Sequence, residues 1–139
     1  VKTWFTLNEP YLMSQMMYAS DGSGTKDYLA AHNMLLAHAE TYRMYEKEFK
    51  LTQNGYFTGK VSIVLYSEWM EPKQAGSPSD ISASERAMEF RLGWFAEPIF
   101  GSGDYPNVMK TRVAEASRAQ NLSRSRLPEF TAGQRSMVK

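Results

Sequence analysis

The chain repeats one pattern: an apolar run stops at polar residues and a proline, then gives way to a loop and an amphipathic segment. Val1-Lys2-Thr3-Trp4-Phe5-Thr6-Leu7 is rich in β-branched and aromatic residues and halts at Asn8-Glu9-Pro10. Such a run predicts a buried strand, and a proline directly after it cannot continue a hydrogen-bonded ladder. A second run, Val61-Ser62-Ile63-Val64-Leu65-Tyr66, stops in the same way at Ser67-Glu68-Trp69-Met70-Glu71-Pro72. Continuous rather than alternating apolarity predicts strands covered on both faces, as in parallel sheets. Between the runs, Tyr28, Ala31, Leu35, Ala39, Tyr42 and Phe49 recur at helical steps and predict a helix over residues 27–50, with Asn54-Gly55 as its stop.

Residues 11–26 read as a loop, because Asp21-Gly22-Ser23-Gly24-Thr25 carries two glycines in a polar cluster. Its Tyr11, Met13, Met16, Met17 and Tyr18 are candidates to wall a pocket. After the second run, Ser82-Ala83-Ser84-Glu85 predicts a capping box. Ala87, Phe90 and Trp94 share the face of the helix that it opens, and Pro98 is expected to end that helix. A third helix is predicted over 107–119 and an extended segment over 126–131. Strand, polar end, loop and helix, twice over, is the pattern of right-handed β/α units. Folds built from such units carry their ligand chemistry at the C-terminal ends of the strands.

Two units leave open sheet edges and apolar faces without partners. A complete β/α barrel takes roughly 250 residues, and this chain of 139 opens at Val1, inside its first strand. It is therefore expected to be an excerpt of a larger fold. Hydrophobic residues at 42% and charged residues at 22% describe an ordinary globular composition. No apolar run approaches the roughly 18 residues of a membrane span, so no membrane partner is expected. The net charge of +1 hides a basic end: residues 110–139 hold seven Lys/Arg against two Glu. Those cations are spread out and lack interleaved aromatics, which reads as a solvated surface and predicts no nucleic-acid partner. The absence of cysteine removes disulfides and thiolate metal sites.

Candidate chemistry concentrates on Glu9. A glutamate is usually a surface charge, but this one ends a hydrophobic strand, where a charge is costly unless it faces a cavity or partner. Glycoside cleavage needs a carboxylic acid that protonates the leaving oxygen and a second carboxylate across the sugar. The amide of Asn8 suits a sugar hydroxyl, the 2-hydroxyl in particular. Glu68 and Glu71, at the next strand's end, are candidates for the second carboxylate, although nothing in their pattern marks a nucleophile. His32 and His38 lie about 120° apart around a helix, unsuited to chelating one ion, and read as packing residues. No metal or cofactor is expected. Asn121-Leu122-Ser123 is a glycosylation sequon.

Several stretches, in order, resemble family 1 glycoside hydrolases, the β-glucosidase family, with a likeness to insect β-glucosidase and myrosinase members. They are Trp4-Phe5-Thr6-Leu7-Asn8-Glu9-Pro10, Ala31-His32-Asn33 to Ala37-His38-Ala39, and Gly59-Lys60-Val61-Ser62-Ile63. Trp69-Met70-Glu71-Pro72, Gly93-Trp94-Phe95-Ala96-Glu97-Pro98-Ile99, Gly103-Asp104-Tyr105-Pro106 and Arg126-Leu127-Pro128-Glu129-Phe130-Thr131 continue the series. The resemblance implies a partial (β/α)8 barrel, a TIM barrel, with residues 1–139 covering about the fourth and fifth β/α units of a single catalytic domain. It implies hydrolysis of small-molecule β-glycosides with retention of configuration, Glu9 as general acid/base and Asn8 as the residue that binds the 2-hydroxyl. Together with the sequon it implies an extracellular or digestive compartment. The family's nucleophile motif, a Glu-Asn-Gly on a later strand, is absent from these 139 residues. The piece alone is thus expected to be inactive. The rival expectation is a non-catalytic barrel relative that binds a protein or a sugar.

Overall fold

The computed structural model describes residues 2–52 and 59–139. The two apolar runs form strands β1 (Thr3–Asn8) and β2 (Lys60–Val64), which pair in parallel as their continuous apolarity predicts. Thr3, Trp4 and Phe5 stand opposite Lys60, Val61 and Ser62, whereas Asn8 stands opposite Val64. Between Phe5 and Asn8, β1 therefore uses one residue more than β2. A bulge of this kind bends a strand and re-aims the residues beyond it.

Residues 10–18 are not a loop. Pro10–Tyr18 form helix α1, with the proline in the first turn. Pro10 ends the strand and starts the helix at once, because its ring already holds the helical φ and an N–H there would have no partner. The glycine-rich turn predicted within the same stretch does occur, at 19–25, with Gly22 and Gly24 at positive φ. Helix α2 (Lys26–Met44) runs on through a π turn (Tyr45–Phe49) and a 3-10 turn (Lys50–Thr52), covering the predicted span. The predicted stop at Asn54-Gly55 lies outside the described residues.

Helix α3 (Pro78–Met88) starts earlier than the capping-box pattern suggests. Its N-cap is Ser77, whose hydroxyl accepts from the Asp80 amide, and Pro78 opens the helix. Ser84, from the expected box, instead donates to the Met70 carbonyl. Nor does Pro98 end the helical run. A π turn (Glu89–Gly93) succeeds α3, and α4 (Trp94–Phe100) carries Pro98 inside it before stopping at Gly101. Helix α5 (Asn107–Ala119) matches its prediction. Beyond the irregular segment 126–131, α6 (Ala132–Val138) is capped by a reciprocal Thr131–Gln134 box.

The core lies among the helices. Ala31, Leu35 and Ala39 of α2 pack with Trp94, Phe95 and Ile99 of α4, and Tyr105, Met109, Val113, Leu127, Phe130 and Val138 belong to the same cluster. From the sheet only Ile63 is buried with them. Trp4 and Phe5 are 60% and 58% exposed, so coverage of both strand faces is not met among the described residues.

Both histidines are buried packing residues, as expected. The Tyr105 hydroxyl meets His32 Nδ1 at 2.8 Å, and the His32 ring stacks on Phe130 at 4.4 Å. Burial pushes the Tyr105 phenol far up, so it keeps its proton. On the other side of the core, Thr6 Oγ1 meets His38 Nδ1 at 2.7 Å and the Ser62 carbonyl at 3.4 Å, joining α2, β1 and β2 at the bulge.

Burial holds both imidazoles below their ordinary value of 6.5. The unfolded rings take up protons near 6.5 and the folded rings only at lower pH, so acid favours the unfolded chain. The stability these rings contribute is present above 6.5 and is lost as pH falls through their folded values. In the full-length protein, we expect His38→Gln to flatten the fall in urea midpoint between about pH 7.5 and 5.5. An unchanged slope would remove His38 from this role.

Candidate active site

The site grows from the end of β1. Asn8 is the last residue of the strand, and Glu9 leaves it in a left-handed conformation with φ 48° and ψ 58°. A side chain at positive φ costs about 1–2 kcal/mol, since Cβ crowds the carbonyl. Neighbours hold it there. The Glu9 amide donates to the Val64 carbonyl at the end of β2, at 2.9 Å, and the Glu9 carbonyl accepts from the Met13 amide of α1, at 3.2 Å. The bulge upstream, the strained residue and the helix start together aim Asn8 and Glu9 away from the regular ladder. Asn8 is exposed and Glu9 half-buried.

The end of β2 faces the same region. Tyr11, in the first turn of α1, stacks on Tyr66 with centroids 5.7 Å apart and planes 7° apart, and meets Trp94 edge-on at 5.9 Å. Arg91, from the π turn, lies over the Tyr11 ring at 5.2 Å and pairs with Glu68 at 3.5 Å. Tyr66 donates to Glu68. That bond, with burial and the carboxylate's charge adding to it, pushes the Tyr66 phenol up and keeps it a donor.

The structure places Asn8 and Glu9 side by side at a strand end and engages the other candidate carboxylates with partners of their own. Glu68 is engaged by Tyr66 and Arg91, and Glu71 accepts from the Trp69 indole. Of the five aromatic and methionine residues expected to wall a pocket, Tyr11 packs beside β2. Met13 and Tyr18 line a different groove of about 500 Å³ with Leu29, Ala30 and Met34 of α2, and Met16 and Met17 are 78% and 62% exposed. Arg91 is not marked by the sequence pattern. The signal available was a lone cation within the apolar stretch from Ala87 to Phe95. Among the described residues no group of three His, Asp or Glu could hold a metal ion, and no helix is long and apolar enough to cross a membrane.

Comparison with known proteins covers the whole chain. Human lactase/phlorizin hydrolase is 39% identical over 146 residues, spanning 99% of this chain and 7% of the relative. Human cytosolic beta-glucosidase is 41% identical, spanning 100% of this chain and 30% of the relative. The solved structure of aphid myrosinase superposes with a TM-score of 0.91 at 40% identity, covering 100% of this chain and 30% of that one. The chain therefore spans less than a third of these relatives. The family model described as glycosyl hydrolase family 1 matches residues 1–139, and the chain belongs to that family.

Proposed function

We propose that residues 1–139 are the central part of a retaining β-glycosidase of the β-glucosidase type, covering about the fourth and fifth β/α units of a (β/α)8 barrel. Glu9 is its proton donor and Asn8 holds the sugar 2-hydroxyl. The observation that carries this reading is the strained, doubly tied Glu9 directly after Asn8 at a strand's C-terminal end. Strained residues cluster where the surrounding structure fixes a functional group.

In the first step the Glu9 carboxyl gives its proton to the glycosidic oxygen as the carbon–oxygen bond breaks, while a carboxylate outside these residues attacks the anomeric carbon. In the second step the Glu9 carboxylate takes a proton from water, which displaces the sugar from the covalent intermediate. Neither step calls for a metal or a cofactor. The substrate is a small-molecule β-glycoside. For the compartment we favour the extracellular or digestive side, because the sequon residue Asn121 is exposed in a turn, at φ 58°. A relative named cytosolic beta-glucosidase pulls the other way.

The test is the first-formed product of the full-length protein acting on an aryl β-glucoside, monitored by proton NMR. The β-anomer is expected to appear first. The α-anomer first would overturn retention, and no turnover at all would favour the non-catalytic binding relative.

A further inference from the structure

Glu9 sits between two segments that must not drift relative to each other: the start of α1, directly beyond it, and the end of β2, whose Val64 carbonyl its own amide holds. Main-chain bonds tie Glu9 to both. Side chains tie the two segments to each other. Arg91 reaches the α1 side through the Tyr11 ring, 5.2 Å below its guanidinium carbon, and the β2 side through the Glu68 carboxylate at 3.5 Å. Tyr66, stacked on Tyr11 and bonded to Glu68, closes the ring of contacts.

We propose that Arg91 is a positioning residue for the acid/base glutamate, acting through Tyr11 and Glu68 to keep Glu9 in its left-handed conformation. The inference rests on the reading of Glu9 as proton donor. The alternative is an ordinary surface ion pair, which is worth about 0–1 kcal/mol at most sites. Three features set Arg91 apart. Its pair with Glu68 joins the π turn to the segment after β2, distant in the chain, where a surface pair commonly joins neighbours on one helix. Its cation lies on a ring that Tyr66 and Trp94 already hold in place, so little freedom is lost on making the contact. And it is presented from a π turn, a local insertion frequent at functional sites. Arg91 touches neither substrate nor proton in this scheme. Its effect passes through the geometry of Glu9, where a displacement of about 1 Å can cost about a hundredfold in rate.

The experiment uses the full-length protein and compares kcat/KM on an alkyl β-glucoside, which needs its leaving oxygen protonated, with a dinitrophenyl β-glucoside, which does not. Arg91→Gln is expected to lose about tenfold on the alkyl substrate and less than about twofold on the activated one, a fraction of what full removal of a general acid costs. Arg91→Lys, which keeps a cation over the ring, is expected to recover most of that loss. Arg91 is partly exposed, so neither variant threatens folding, and equal thermal midpoints check it. Glu9→Gln is measured alongside. If Glu9→Gln is selective and Arg91→Gln is not, the positioning role falls and the proton-donor reading stands. Equal loss on both substrates in Arg91→Gln marks a merely structural residue and also overturns it. If Glu9→Gln itself shows no selectivity, the reading and the inference fall together.

Discussion

In the full-length protein, Glu9→Gln is expected to lower kcat/KM on alkyl β-glucosides by about 10²–10⁴, the usual contribution of a positioned general acid. On dinitrophenyl β-glucosides the same parameter is expected to stay near the wild-type value. The leaving oxygen makes the difference. An alkoxide is a poor leaving group, so its carbon–oxygen bond breaks at a useful rate only when a proton arrives with the break. A dinitrophenolate departs unaided. The glutamine side chain fills the same space and keeps the strand end intact, since the ties on residue 9 are made by its backbone amide and carbonyl. What it lacks is a proton to give. Because kcat/KM reports the step up to bond cleavage, loss of base assistance in the second step appears in kcat alone. Equal losses on both substrates would remove Glu9 from the acid role, and no loss on either would remove it from the mechanism.

The parts of this site legible in the sequence are those written in hydrophobic pattern. The strands announce themselves as continuous apolar runs, and their parallel pairing agrees with that continuity. Helix α2 is visible in the stripe through Ala31, Leu35 and Ala39, all of them buried. Asn8 and Glu9 could be placed at a strand end because Pro10 closes the run. What stayed hidden depends on backbone conformation that no residue type announces. Thr6-Leu7 fit a regular strand as well as a bulged one, so the extra residue is invisible. A glutamate gives no hint of positive φ, where a glycine would. Pro10 was legible as the end of a strand, while its second role as the first residue of α1 was obscured by the glycines downstream. The π turn at Glu89–Gly93 breaks the 3.6-residue period on which helix faces are drawn, which is why Arg91 did not stand out. Helix α6 is a different case. Its Thr131–Gln134 capping box is an ordinary pattern, present in the sequence, whereas the Ser82–Glu85 pattern is a false one because Ser77-Pro78 had already started α3.

Purified chain 1–139 is expected to hydrolyse no aryl β-glucoside above the buffer rate and to melt without a sharp cooperative transition. The lack of hydrolysis comes from the count of free carboxylates at the strand ends. A retaining mechanism needs two carboxyl groups about 5–5.5 Å apart, one to protonate and one to attack. Glu9 is one. Glu68 is held by Arg91 and the Tyr66 hydroxyl, and Glu71 by the Trp69 indole, so neither is poised as the other. The broad melt comes from the sheet. A pair of strands needs further strands or a packed face for stability of its own. Here Ile63 is the one residue of β1 and β2 buried in the core, with Leu7 partly buried against it, while Trp4, Phe5 and Trp69 are 60%, 58% and 78% exposed. The helices α2, α4 and α6 pack against one another, but Glu9 rides on the strands, and loosening them loosens its left-handed turn. Calorimetry and an aryl-glucoside assay on the same preparation separate the two claims. A sharp transition without hydrolysis would show that the helical core suffices to order the sheet and would leave the need for a second carboxylate standing. Measurable hydrolysis would overturn that need, because the second carboxylate would then have to lie within these residues.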